Sequence, residues 1–269
     1  MAINISKYIR DKIMFKEESI NSFRDYYVAF SNDFATNSNY SYSLYAHRLF
    51  LYILAKIPSY DGINSNRQEK IEIDFNHFIA VFNLPASGAT YKKLHEALEI
   101  LHKTPVYGGH PFIGEIEMLK KTIYNVSICK DLEKHFFNLR SYVQFPFSSV
   151  MGFKSVYSFQ IYAALLSKFN MSAYFSKKAG NSIREFKSSL EIDPGKIINM
   201  LDLKQPSYSL FKNLNSAVIK KAIKDINDYA DLYVEYQGNN LGITFIIRRK
   251  TSNELLLSYA NLLKKLQPA

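Results

Sequence analysis

Apolar and polar positions along this chain trace one order of elements twice. Residues 41–57 carry Leu44, Tyr45, Leu49, Leu51, Tyr52 and Ile53 with few polar positions between them. That pattern predicts a helix buried on most of its faces. Pro58 and Asp61-Gly62 end it, and 59–68 reads as a polar loop. Ile71 and Ile73 alternate with Lys70 and Glu72 as a short strand. Asp74 then suits an N-cap, because its carboxylate accepts a free amide at the start of the helix that follows. After a turn over 84–88, the stretch 89–103 puts Tyr91, Leu94, Ala97, Leu98 and Leu101 on one helical face. Thr104-Pro105 stops that helix. Val106-Tyr107, a Gly108-Gly109-His110-Pro111 turn read as a wing tip, and strand-like runs at 112–119 and 122–129 complete the first series.

The second series opens with an apolar helix over 156–170, an extended run over 172–175 and a turn over 177–182. Residues 183–192 suit a strand or a short helix. Asp193-Pro194-Gly195 starts the next helix, and Lys204-Gln205-Pro206 is a turn. Ser207 is the expected cap of a long helix over 208–228. Its Leu210, Phe211, Leu214, Val218, Ile219, Ala222, Ile223 and Ile226 follow the three-and-four spacing of one buried face. Residues 231–237, the turn Gly238-Asn239-Asn240 and 241–250 read as a two-stranded wing. Ser252 or Asn253 caps a final amphipathic helix.

The expected fold class is therefore α+β: tandem winged helix-turn-helix domains, mostly helical, with β-hairpin wings. Residues 1–35 form an extension, 36–148 the first domain, 149–251 the second, and 252–269 a C-terminal helix. Ile3, Ile5, Tyr8, Ile9, Ile13 and Met14 would line a short docking helix within the extension. The second helix of a helix-turn-helix lies in a major groove about 12 Å wide, with its N-terminal residues against base edges.

Charge sharpens this picture. The 269 residues hold 34 Lys and Arg against 24 Asp and Glu, a formal net charge of +10, which favours a polyanionic partner. Residues 1–150 carry 17 basic and 15 acidic side chains, and the remainder 17 and 9, so the excess lies in the second half. Between Asp202 and Asp225 there is no acid, while Lys204, Lys212, Lys220, Lys221 and Lys224 all occur. No run approaches the roughly 18 apolar residues of a membrane span. The first residues have early charges of both signs, unlike a signal peptide. The expected setting is the cytoplasm, without a membrane partner.

Cys129 is the only cysteine, which excludes disulfides and CxxC metal sites and suits a reducing compartment. It is expected as a buried filler. The sequence has no G-x-x-x-x-G-K-[ST], no His-x-His pair and no clustered His/Cys/Asp set, so neither a cofactor nor a metal nor catalysis is expected. The 20 Tyr and 20 Phe, with no Trp, fall mostly at apolar helix and strand positions, which marks them as core.

The stretch SVYSFQIYAALLSK and the later Tyr208, Phe211, Leu214, Val218, Ile219, Ala222, Ile223, Ile226 and Asn227 resemble the initiator Rep proteins of iteron-containing plasmids. The likeness covers roughly residues 40–250, and its motifs are more specific in the second domain than in the first. The resemblance implies two winged-helix domains. It implies binding to direct repeats (iterons) in duplex origin DNA, origin opening, and recruitment of host helicase or initiator proteins. It also implies a monomer–dimer equilibrium, with the first domain dimerising and the dimer repressing its own promoter, in a bacterial cytoplasm on the plasmid or nucleoid. A stand-alone repressor and a rolling-circle nicking initiator are the alternatives.

Helix-turn-helix geometry nominates Gln205, Ser207, Tyr208, Ser209, Lys212 and Asn213 for base contact. Lys204, Lys220, Arg248, Arg249 and Lys250 suit phosphate contact, which positions without reading sequence, and Asn215 and Ser216 suit either role. In the first domain Ser87, Gly88, Thr90, Lys92 and Lys93 are the equivalent phosphate candidates. His95 and His102 suit a local network better than DNA.

Overall fold

The computed structural model describes residues 26–38, 42–57, 70–182 and 186–266. The expected docking helix, the stop at Pro58, the loop over 59–68 and the first residues of the 183–192 run lie outside them.

Two copies of one topology are present. The first contains β2 (Ile71–Asp74), α3 (Phe75–Val81), α4 (Gly88–Lys103), β5 (Ile113–Lys120) and β6 (Ile123–Ile128). The second contains β8 (Lys187–Ile192), α7 (Pro194–Met200), α8, β9 (Leu232–Gly238) and β10 (Ile243–Arg249). Here α8 denotes the continuous run Phe211–Leu214, Asn215–Ile219 and Lys220–Tyr229. Both sheets are antiparallel with the last strand in the middle, in the orders β2-β6-β5 and β8-β10-β9. The local chemistry repeats too. Asp74 caps α3 by accepting from Asn76 N at 2.8 Å, and Asp193 caps α7 by accepting from Gly195 N at 2.7 Å. Each helix is left through a residue in the left-handed region, Asn83 (φ 47°) and Asp202 (φ 50°), at the same distance from its cap. Asn and Asp tolerate that conformation better than other side chains.

Around these modules lie β1 (Tyr27–Ser31), α1 (Asn32–Asn37), α2 (Leu44–Ala55), β3 (Pro105–Tyr107), β4 (His110–Pro111), a 3₁₀ turn (Lys130–His135), β7 (Tyr142–Pro146), α5 (Ser148–Met151), α6 (Ser158–Lys178) and α9 (Ser252–Leu266). Strand β1 pairs with β7 from Tyr27↔Pro146 to Ser31↔Tyr142. Residues from 27 onward therefore belong to the first domain, not to an extension ending at 35. The alternation of buried Val28 and Phe30 with more exposed neighbours is what brings this strand into the core.

Three further differences have local causes. Helix α6 runs on to Lys178, so 172–175 is helical rather than extended; nothing breaks it before Gly180, whose φ is +83°. Gly108 and Gly109, both at positive φ, make the tight turn of the separate β3–β4 ribbon. The first wing is instead the β5–β6 hairpin, whose turn is Lys121-Thr122. Helix α9 is capped one residue earlier than expected, by Thr251. Glu254 N donates to Thr251 Oγ1 at 3.4 Å and Thr251 N to Glu254 Oε2 at 2.8 Å, a reciprocal capping box.

The halves share one core, and aromatic rings join them across it. Phe159 and Tyr162 of α6 reach into the first domain, with ring centroids 6.1 and 5.2 Å from Phe145, and Phe159 lies 5.9 Å from Phe30. Edge-to-face pairs of this kind are each worth roughly 0.5–1.5 kcal/mol beyond the area they bury. Buried Asp225 of α8 fixes the start of α6, accepting from Lys154 N and Ser155 N at 2.8 Å and from Ser158 Oγ at 2.7 Å. The helix-turn-helix of the second domain is thereby held to the shared core. Among the described residues no helix is long and apolar enough to cross a membrane.

Candidate nucleic-acid interface

The second helix-turn-helix presents its leading end outward. Pro206–Ser209 forms a 3₁₀ turn, Leu210 is extended, and the helix starts only at Phe211. Ser207 is therefore not its cap. The cap comes from the wing: Asn240 Oδ1 accepts from Phe211 N at 2.9 Å. Within α8, Asn215–Ile219 is a π-helical turn, with Lys220 N donating to Asn215 O five residues back. On a regular helix, turning about 100° per residue, Lys212 and Lys220 would diverge by about 80°. The wider π turn rotates less per residue and takes back most of that divergence. Exposed Lys212, Ser216 and Lys220 thus stand in one file opposite buried Leu214, Val218, Ala222 and Ile226.

The base-contact candidates separate into free and tethered groups. Gln205 and Lys212 are exposed. Ser207 and Ser209 are exposed as well, but Ser209 Oγ donates to Pro206 O at 2.8 Å, and Asn213 Nδ2 donates to Ser207 O at 2.9 Å. Those bonds brace the 3₁₀ turn against α8. Tyr208 is half-buried on the core beside Tyr157. Asn215 accepts from Tyr236 OH at 2.7 Å, which ties the π turn to the wing strand β9. Exposed Lys204 pairs with Asp202. Neither Lys212 nor Lys220 has an ion-pair partner among the described residues.

The Arg248-Arg249-Lys250 cluster is structural. Arg248 makes a two-pronged pair with Glu254 at 2.8 and 2.7 Å and lies 4.2 Å over the Tyr233 ring. Arg249 is paired with Asp231 and donates to Asn170 Oδ1 at 3.1 Å. Lys250 is buried, so it cannot clamp a phosphate. Its ammonium donates to Asn227 O and Ala230 O, the last carbonyls of α8, and to Ser258 Oγ of α9, at 2.6–2.7 Å. Burial lowers its pKa to about 8. Orphan carbonyls at a helix end need such donors, and Lys250 turns inward just past the end of β10, where strict alternation after Ile243, Phe245 and Ile247 would have put Arg249 inside instead.

In the first domain Ser87 caps α4, accepting from Thr90 N at 3.3 Å, while exposed Gly88, Lys92 and Lys93 lie on its first turns. Thr90 is buried against Ser87 and so is no phosphate contact. Lys93 lies 5.4 Å over the Tyr45 ring. Further along, Glu96 and Glu99 share the exposed side of α4, so this helix carries mixed charge where α8 carries only lysines as far as Lys224. His95 bonds Tyr124 OH at 3.1 Å and His102 bonds Ile113 O at 3.2 Å, both local.

A family model described as "Initiator Replication protein, WH1" matches residues 27–166, and one described as "Initiator Rep protein, WH2" matches residues 195–247. The chain belongs to the initiator Rep family. It is also 25% identical over 178 residues to a protein of Escherichia coli named "Replication initiation protein", in a match covering 63% of this chain and 52% of that relative. The chain thus spans about half the length of the curated relative it matches. The two winged-helix domains, WH1 and WH2, are the two modules described above.

Sequence reasoning placed Leu210 on the buried face of α8, yet it is 58% exposed at the leading end of that helix. Leu241 at the wing tip is 88% exposed. Both are apolar residues among turn residues, the one signal that would have singled them out. Apolar side chains in these places suit contact with thymine methyls. WH1 also gathers His110, Cys129 and Asp131, whose ligand atoms lie within 4.8 Å of one another. That set was invisible as sequence spacing, and Cys129 is half-exposed rather than a buried filler.

Proposed function

We propose that the protein initiates plasmid replication by binding repeated sequences in duplex origin DNA, without a catalytic step of its own. WH2 reads the bases, with Gln205, Leu210 and Lys212 at the major-groove edges. Lys220 with Ser216 contacts phosphate, and the wing tip follows the adjacent backbone. The aligned file of Lys212, Ser216 and Lys220 beside the wing, its two lysines without an ion-pair partner among the described residues, carries this reading. The mixed charge of α4 in WH1 suits a surface divided between DNA and protein, including a second copy of the chain. In this scheme the bound protein nucleates origin opening in the bacterial cytoplasm and recruits host helicase or initiator proteins. As a dimer it represses its own promoter.

Supplying the gene in trans to a plasmid that carries a direct-repeat origin tests this. Replication is the expected result, whereas a stand-alone repressor would bind the repeats without sustaining the plasmid. Incubation with supercoiled origin DNA and Mg²⁺ or Mn²⁺ should leave no covalent nicked product; its appearance would assign the nicking reaction instead. A footprint over the flanking DNA would show direct and inverted repeats separately.

A further inference from the structure

We infer that His110, Cys129 and Asp131 form a binding site for a zinc-class divalent ion, with water as the fourth ligand, that fastens the β3–β4 ribbon of WH1 to the end of β6. His110 Nδ1 lies 3.3 Å from Asp131 Oδ2, and Cys129 Sγ lies 3.9 Å from the same oxygen. Tetrahedral zinc with bonds of about 2.0–2.3 Å separates neighbouring nitrogen and oxygen ligands by about 3.3 Å, and sulfur and oxygen ligands by about 3.6 Å. The donor atoms are therefore within a few tenths of an ångström of those two edges of a coordination tetrahedron.

The donor types select the ion. A thiolate, an imidazole and a carboxylate suit zinc or its neighbours among the first-row metals. Calcium and magnesium need more oxygens than this site offers.

The backbone fixes all three positions. The Gly108-Gly109 turn delivers His110. Cys129 N donates to Phe112 O at 3.0 Å, and Leu132 N donates to Cys129 O at 2.9 Å, which starts the 3₁₀ turn bearing Asp131. Strand β5 passes so close that a Cβ at Gly114 would lie 3.2 Å from Cys129 Cα. Side-chain exposures of 45% for His110 and 63% for Asp131 leave a way in for the ion. The β3–β4 ribbon has only two paired positions of its own, and Tyr107 OH donates to Asp33 at 2.6 Å on its far side. The ion would add the missing attachment at the near side.

The test uses the full chain, stripped with a chelator and titrated with Co²⁺ and then Zn²⁺. One equivalent of Co²⁺ should give intense tetrahedral visible bands and a thiolate charge-transfer band, both erased by Zn²⁺. Cys129→Ser and His110→Gln should each weaken Co²⁺ binding at least about 100-fold, since even outer-shell losses cost up to that factor. Far-UV dichroism checks that the variants fold. A readout on the unmodified chain stands beside them. Zn²⁺, and not Mg²⁺, should slow alkylation of the single thiol at least about tenfold, because a metal-bound thiolate is a poorer nucleophile. A weak octahedral cobalt spectrum, bands that survive Cys129→Ser, or alkylation indifferent to Zn²⁺ would overturn the site.

Discussion

The side-chain oxygen of Asn240, at the tip of the second wing, accepts a hydrogen bond from the backbone N–H of Phe211 at 2.9 Å. A helix start is normally capped by the residue just before its first turn. That residue here is Leu210, which has no capping oxygen, and the wing supplies one from 29 residues away. The wing and α8 therefore cannot move independently without exposing an orphan amide. Asn240→Ala should destabilise WH2 by about 1 kcal/mol, the usual worth of a cap, measured by urea unfolding. It should also lower affinity for the specific repeat, and Asn240→Asp should preserve stability. Equal stability of the Ala variant and the unmodified chain would show that the cap contributes nothing.

Asn240 also marks where local sequence reasoning stops. The main helices of both modules and the Asp74 cap were legible, because each depends on residues within one or two turns of chain, whereas α1 and α5 were not read at all. The same local logic misplaced the cap of α8 at Ser207, since the true acceptor is brought in by tertiary pairing of β9 with β10. Lys250 was misread for a related reason. Its neighbours Arg248 and Arg249 suggested a basic patch, whereas the chain leaving β10 turns it inward onto the end of α8, against the strand's alternation. The π turn left no trace in the apolar spacing, which fits a regular helix nearly as well. His110, Cys129 and Asp131 are drawn together by a hairpin, a strand end and a 3₁₀ turn that no spacing rule links.

Lys250→Met removes a charged donor from the carbonyls of Asn227 and Ala230 while keeping a chain of similar length. Leaving those acceptors unpaired should cost about 2–4 kcal/mol in urea unfolding, a typical penalty for stripping a buried charge-assisted network. The slope of log affinity against log salt for DNA should stay unchanged, because Lys250 reaches no phosphate. A slope reduced by about one would return Lys250 to the DNA surface.

The file on α8 predicts a division of labour. Lys220→Ala should weaken binding to repeat and random DNA alike and reduce the salt slope by about one. Lys212→Ala should reduce binding to the repeat by about 1–3 kcal/mol and random DNA far less. Arg249→Ala should act mainly on stability, since it strips Asp231 of its ion-pair partner and leaves it the Tyr162 hydroxyl. Competition binding at several salt concentrations separates the three. Identical profiles for Lys212→Ala and Lys220→Ala would remove the distinction between reading and clamping.

The clasp between Arg248 and Glu254 makes the seating of α9 sensitive to acid. The helix spans from the base of the wing to the first domain, where Asn83 Nδ2 donates to Leu266 O at 2.7 Å. The Arg248 fork, together with the Thr251 amide, pulls the Glu254 carboxyl from its ordinary 4.5 down to about 2. A carboxyl depressed in the folded state is protonated first in the unfolded one. Its stabilising contribution is therefore whole above the unfolded value, declines as pH falls from there, and is gone near the folded value. The melting temperature of the unmodified chain should exceed that of Glu254→Gln by a constant amount above about pH 5, and the gap should close as pH approaches about 2. Paired calorimetric scans across that range check this. A gap independent of pH would mean that Glu254 holds α9 through the shape of its hydrogen bonds alone, without its charge.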